Sequence, residues 1–259
     1  MANIDKHAPG SFCWVELGTT DQNAAKSFYT QLFGWTVDDY PMGPGQAYSM
    51  FRLHGRDAAA GYTLDKEKLA LGVPVHWLLY IAVASADESA KKAAQAGATV
   101  LSPPFDVMDA GRMAVLQDPT GAVFAVWQAN RNQGIGVHGE PGALCWGDLS
   151  TSDPARAKKF YSDLFGWQIT TGPNDPSGYL HIKNGEHFIG GIPPAHTDPK
   201  TPPHWLIYFM VADVGATTVK AAQLRAKTLM PPTDMAGVGT WAILADPQGA
   251  VFAVFKAAH

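Results

Sequence analysis

PGSFCWVELGTTDQNAAKSFYTQLFGW (residues 9–35) decides the fold, because the chain contains it twice. Laid over PGALCWGDLSTSDPARAKKFYSDLFGW (141–167), it keeps Cys-Trp, Leu, Thr, Asp, Ala-Lys, Phe-Tyr and Leu-Phe-Gly-Trp at one offset, 146 − 14 = 132. Further on, HWLLYIAV (76–83) matches HWLIYFMV (204–211), and DPTGAVFAVW (118–127) matches DPQGAVFAVF (246–255), both at an offset of 128. The second copy is therefore four residues shorter between the blocks, 132 − 128. Similarity that keeps register over such a distance marks an internal duplication.

Working outward, Ser11–Gly18 reads as a strand with Cys13, Val15 and Leu17 on one face and Trp14 and Glu16 on the other. Thr20-Asp21 offers a helix N-cap, and an apolar stripe at Ala25, Phe28, Tyr29 and Leu32 predicts a helix over 22–33, stopped by Gly34. Short strands are expected at 35–39, 48–53 and 58–63, with His54-Gly55 as a turn. The cycle then restarts: a strand at 77–83, a helix over 86–96 closed by Gly97, and strands near 98–105, 112–117 and 122–128. Each copy is thus two βαβββ units. The polar, Gly-rich ANRNQGIGVHGEPG (129–142) joins the copies, and the domains are expected to be 1–130 and 131–259.

With 259 residues, 46% apolar and 16% charged, the chain has the composition of a folded globular protein. Its net charge is −4 and it has no Lys/Arg run, which argues against nucleic acid or an anionic membrane as partner. The opening MANIDKHAPG lacks the apolar core of a signal peptide, so a cytoplasmic location is expected. Cys13 and Cys145 occupy equivalent places without local partners and read as buried free thiols.

A strand, a helix ending FYxxLFGW and a terminal hairpin with DPxGxxFxV, in paired βαβββ units, resemble the vicinal oxygen chelate superfamily. This is the glyoxalase, bleomycin-resistance and extradiol-dioxygenase group, here closest in kind to its two-domain glyoxalase-like or hydroxylase-like members. The resemblance covers nearly the whole chain and implies an α+β fold: four βαβββ modules paired into two domains, with curved mixed sheets around a cleft. It also implies a divalent metal, held in metal-dependent members by inward groups on the first and last strands of each unit. Carried over one position at a time, those places fall on Trp14, Leu78 and Ala125, on Trp146, Leu206 and Ala253, and on the small residues of AAAGYT (58–63) and FIGGI (188–192). None of these side chains ligates a metal, so neither metal nor cofactor is expected.

What the cleft is expected to hold instead is a Trp–carboxylate pair facing a tyrosine. Trp14, Glu16 and Tyr80 form one set and Trp146, Asp148 and Tyr208 the other, with His76 and His204 at equivalent strand starts. Arg112 is a further candidate donor, without a counterpart at Thr240. A buried carboxylate needs donors, a cation or water. Three readings stay open. The groups brace the cleft; or Trp14, Trp146, His76, His204 and Arg112 bind a small apolar or aromatic molecule; or Glu16 and Asp148 are general bases, with Tyr80 and Tyr208 polarising a substrate oxygen. The last would make a lyase, isomerase or oxygenase acting on a carbonyl or hydroxylated compound. Tandem duplication mimics a dimer, so a monomer or a homodimer is expected.

Overall fold

The computed structural model describes residues 2–3, 5–172, 177–196, 198 and 201–258. The chain enters through β1 (Ala2–Asn3), followed by β2 (Phe12–Thr19), α1 (Gln22–Phe33), β3 (Thr36–Gly43), β4 (Gln46–Leu53) and β5 (Arg56–Thr63). After α2 (Lys66–Ala70) the second unit runs β6 (His76–Ala82), α3 (Ala86–Gln95), β7 (Thr99–Val107), β8 (Gly111–Gln117) and β9 (Val123–Ala129). The linker carries β10 (Val137–His138), which pairs with β1. The second half repeats the plan with β11 (Leu144–Ser150), α4 (Pro154–Phe165), β12 (Gln168–Thr171), β13 (Leu180–Asn184) and β14 (His187–Ile192). It closes with β15 (His204–Met210), α5 (Val214–Gln223), β16 (Lys227–Met235), β17 (Gly239–Ala245) and β18 (Val251–Ala257).

Each half forms one eight-stranded sheet, β3-β4-β5-β2-β6-β9-β8-β7 and β12-β13-β14-β11-β15-β18-β17-β16. The two units of a half therefore pair with each other, not across halves. At the centre β2 runs antiparallel to β6, and each has its own unit's last strand beside it in parallel. The helices form where the local chemistry asks for them. Asp21 accepts from the Ala24 amide at 2.9 Å, Gly34 takes a left-handed φ of 73° to end α1, and Ala25, Phe28, Tyr29 and Leu32 are buried. Only α2 is unanticipated among the helices, because it is five residues long and buries none of them.

The outer faces of the two sheets meet across the helices, so one core spans both halves. Tyr29 of α1 packs on Trp77 of its own sheet at 5.2 Å and on Phe252 of the other at 5.7 Å between centroids. Phe12 packs edge-on against Trp167 and Trp205. Trp35 and Trp167 donate across the seam to the carbonyls of Gly142 and Gly10, both at 2.8 Å. Cys13 and Cys145 are buried and free. No helix among the described residues is long and apolar enough to cross a membrane.

The inner faces curl. In a flat sheet β2 and β4, separated by β5, would lie about 10 Å apart. Tyr48 on β4 nevertheless reaches Glu16 on β2, and Tyr80 on β6 reaches to 3.9 Å from Met113 on β8, beyond β9.

Candidate functional site

Strand alternation and register bring the site together from separated segments. Trp14 pairs with Tyr80, and Glu16 with Leu78 and Ala60, so these side chains share the inner face of the first sheet. Tyr80 donates its hydroxyl to Glu16 Oε2 at 2.8 Å, and Tyr48 donates to Oε1 at 2.7 Å. The Trp14 indole N–H donates to the Tyr48 oxygen at 3.2 Å. The second sheet repeats this closely. Tyr208 donates to Asp148 Oδ2 at 2.8 Å and Tyr179 to Oδ1 at 2.6 Å. The Trp146 indole N–H is shared between Asp148 Oδ1 and the Tyr179 oxygen, both at 2.9 Å.

Burial pushes the Glu16 carboxyl above its ordinary range, against the pull of the Tyr48 and Tyr80 hydrogen bonds and the Lys68 charge. Burial likewise raises Asp148, opposed by Tyr179, Tyr208, Trp146 and the nearby His181. The same burial, together with the carboxylate charge, raises Tyr48, Tyr80, Tyr179 and Tyr208, which keeps their hydroxyls protonated as donors at neutral pH. Each carboxyl oxygen accepts one tyrosine hydroxyl and retains lone-pair capacity. The result is a fixed acceptor pair beside an indole, able to take a donor from a ligand or a proton from a substrate.

Tyr48 and Tyr179 went unseen in sequence, although they are as close to the carboxylates as Tyr80 and Tyr208. Their separation, 179 − 48 = 131, falls between the two block offsets and hides the match. Lys68 and His181 were also missed. Lys68 projects from α2 with its ammonium 4.9 Å from the Tyr62 ring centre. His181 sits in register with Gly191, the neighbour of Asp148, and its ring lies edge-on to Tyr179 at 5.0 Å.

His76 and His204 share the inner-face register of Tyr80 and Tyr208, one pairing step beyond Glu16 and Asp148. They stand at their strand starts with ring nitrogens bonded to the carbonyls of Pro74 and Pro202, at 2.8 and 2.9 Å. Arg112 does not face the cleft, which corrects the expectation of a donor there. It pairs with Gln128, whose side chain caps α3 on the outer face, and it bonds Asp87 and Asp106 at 2.7 and 2.9 Å. A solvent-open hollow beside Gln22, Lys26, Asp39 and Gln46 also lies off the inner face.

The metal positions implied by the fold do not fit a metal. Trp14, Leu78, Ala60 and Ala125 stand at the centre of the first inner face, and Trp146, Leu206, Gly191 and Ala253 at that of the second. None carries a side-chain donor for a divalent ion. Among the described residues no three His, Cys, Asp or Glu side chains cluster to rebuild such a site.

A sequence profile of the glyoxalase/bleomycin resistance protein/dioxygenase superfamily matches residues 11–126 and 144–254. "Putative glyoxylase CFP32" of Mycobacterium tuberculosis is 41% identical over 266 residues, covering 100% of this chain and 99% of that protein. "Anthracycline biosynthesis protein DauV" of Streptomyces sp. (strain C5) is 34% identical over 267 residues, covering 98% of this chain and 95% of the relative. The Mn(II)-bound glyoxalase from Novosphingobium aromaticivorans superposes with a TM-score of 0.65 at 17% identity, over 95% of this chain and 82% of that one. The 2,3-dioxygenase LapB from Pseudomonas sp. KL28 reaches the same score at 14% identity, over 100% and 94%. At such identities the structural likeness speaks for the fold alone.

Proposed function

This chain belongs to the glyoxalase/bleomycin resistance protein/dioxygenase superfamily, and we propose that it is a small-molecule-binding member that works without the family's metal. It holds an apolar or aromatic compound on one or both inner faces, against Trp14 or Trp146, with Glu16 or Asp148 accepting from a polar substituent. One observation supports this reading: both halves hold a carboxyl clamped by two tyrosines, beside an indole, among the positions the resemblance implies for the family's metal. The name of the anthracycline-biosynthesis relative agrees with an aromatic ligand of this kind.

The test is a thermal-shift screen of aromatic, cationic and antibiotic-like compounds, with tryptophan fluorescence as the second signal. A hit that vanishes in the Glu16→Gln/Asp148→Asn double variant supports the reading. A hit that survives removes the carboxyls from it, and silence across all three sets overturns it.

A second reading makes the chain a lyase, isomerase or oxygenase acting on a carbonyl or hydroxylated compound. The raised carboxyl pKa values favour it, since a general base works best with a pKa near the operating pH. Glu16 or Asp148 would take the proton while Tyr80 or Tyr208 polarised the oxygen. It requires a double variant that still binds and no longer turns its substrate over; turnover that persists rejects both bases.

A further inference from the structure

The two inner faces carry one constellation but offer different surfaces. On the first, Trp14, Ala82, Met113 and Trp127 are buried and belong to the main core. Their counterparts Trp146, Met210, Trp241 and Phe255 are half-buried and pack on Tyr208, Leu206 and Ala253 as a separate apolar cluster. The exchanges Ala82 to Met210 and Met113 to Trp241 also enlarge the apolar lining.

The linker accounts for part of the difference. Trp127 donates its indole N–H to the Asn132 carbonyl at 2.9 Å, and Ile135 donates to the Cys13 carbonyl at 2.8 Å. Gly134 passes so close that a Cβ would stand 2.4 Å from the Cys13 oxygen. This strap lies on the first sheet. On the second, Phe255 replaces Trp127 and is half-buried.

Polarity is distributed in the opposite sense. On the first face Glu16 is half-buried, with Lys68 nearby. On the second, Asp148 is 7% exposed beneath Trp146, and His181 stands where the first half has the buried Met50, in register through Gly191 as Met50 is through Ala60. Neither ring nitrogen of His181 is hydrogen-bonded to a described residue. The second face is thus an aromatic floor with an acceptor, two tyrosine hydroxyls and an uncommitted imidazole at one end. Large aromatic side chains left part-wet on a concave face mark a ligand site.

We propose that the second inner face is the ligand site and takes a planar hydroxylated aromatic compound. Its rings lie against Trp146, Trp241 and Phe255, and its hydroxyl reaches Asp148 and Tyr179 with His181 beside it. The proposal rests on the small-molecule-binding reading above and says which face is used and for what. A second copy of the chain is a poorer occupant, because these aromatics line the inside of a curl that a flat surface does not enter.

The probe is quinizarin, a dihydroxyanthraquinone, with unsubstituted anthraquinone as control, titrated against the full chain by tryptophan quenching and checked by calorimetry. Variants import the first half's residues: Trp241→Met and His181→Met, with Asp148→Asn and Glu16→Gln, each checked for a retained melting transition. Quinizarin affinity is expected to fall about tenfold with Trp241→Met or Asp148→Asn and severalfold with His181→Met. Asp148→Asn should weaken quinizarin more than anthraquinone, and should cost several times more than Glu16→Gln. If Glu16→Gln weakens binding as much as Asp148→Asn, the choice of the second face is overturned while the small-molecule reading stands. Binding indifferent to both carboxyls overturns the placement against Asp148 and removes the carboxyls from the small-molecule reading, which only silence across the whole screen overturns. Absence of quinizarin binding overturns the ligand class, and a dimer that Trp241→Met dissociates overturns it in favour of a second copy.

Discussion

At the seam between the halves, the duplication survives residue for residue; on the inner faces the tyrosine–carboxyl hydrogen bonds survive and the side chains around them do not. Tyr29 donates to Asp246 Oδ2 at 3.0 Å and accepts from the Trp77 indole at 3.0 Å. Tyr161 donates to Asp118 Oδ2 at 2.9 Å and accepts from the Trp205 indole at 3.0 Å. Against this, Glu16 faces Asp148, Met50 faces His181 and Met113 faces Trp241 at matched inner positions. The seam is close-packed, and each tyrosine bonds an aspartate of the other half, so a change on one side must be answered on the other. The inner-face positions make no such bond to the other half, so exchange there leaves the seam intact.

The largest expected effect tests the seam. Asp118 Oδ1 accepts from the amides of Thr120, Gly121 and Ala122, and Asp246 Oδ1 from those of Gln248, Gly249 and Ala250. Asp118→Ala and Asp246→Ala strip several donors at once, and each should lower unfolding free energy in urea by about 3 kcal/mol or more. The two losses should agree within about 1 kcal/mol. A silent member would break the equivalence.

Tyr29→Phe and Tyr161→Phe are expected to cost about 1–3 kcal/mol each, because the aspartate oxygen and the indole N–H lose their shared partner. Urea midpoints that shift for one and not the other would again separate the halves.

On the inner face the comparison is sharpened by pH. A carboxyl whose pKa is raised on folding binds more protons folded than unfolded, so its contribution to stability is present at low pH and lost as pH rises from the ordinary aspartate value of 3.8 through the raised one. Asp148→Asn removes that loss. The fall in urea midpoint on going from acid to neutral pH should be smaller in the variant than in the parent chain, and an unchanged difference would show that Asp148 titrates normally.

The smallest effect is expected at His76→Gln and His204→Gln, half-buried rings tied to a neighbouring carbonyl, with stability changes of about 1 kcal/mol or less. A loss of ligand response in either variant would show that these inner-face histidines contact the ligand.

Much of the fold was legible in sequence because it depends on local rules applied twice. The offset of 132, the Asp21 and Gly34 caps and the stripe of α1 all recur in structure as read. The site was half legible. Alternation alone put Trp14 with Glu16, and the matching block put Tyr80 opposite. Tyr48 was hidden because β4 lies two strands from β2, and no local pattern says that the sheet curls far enough to close the distance. Arg112 was misplaced for a related reason. Its side is set by pairing of β8 with β9, where Val115 meets Ala125 and odd positions turn inward.

Sequence by itself determined the duplicated βαβββ plan and the buried thiols, since each follows from periodicity, capping or residue chemistry, and the family resemblance it carries implied that Trp, Leu and Ala stand at the metal positions. Tertiary structure alone decided that the two units of each half share one sheet and that two tyrosines from separate segments clamp each carboxyl. It also decided that the linker lies on the first sheet and the second inner face stays more open. These depend on which strands meet and how strongly the sheet bends, and neither quantity is carried by any short stretch of chain.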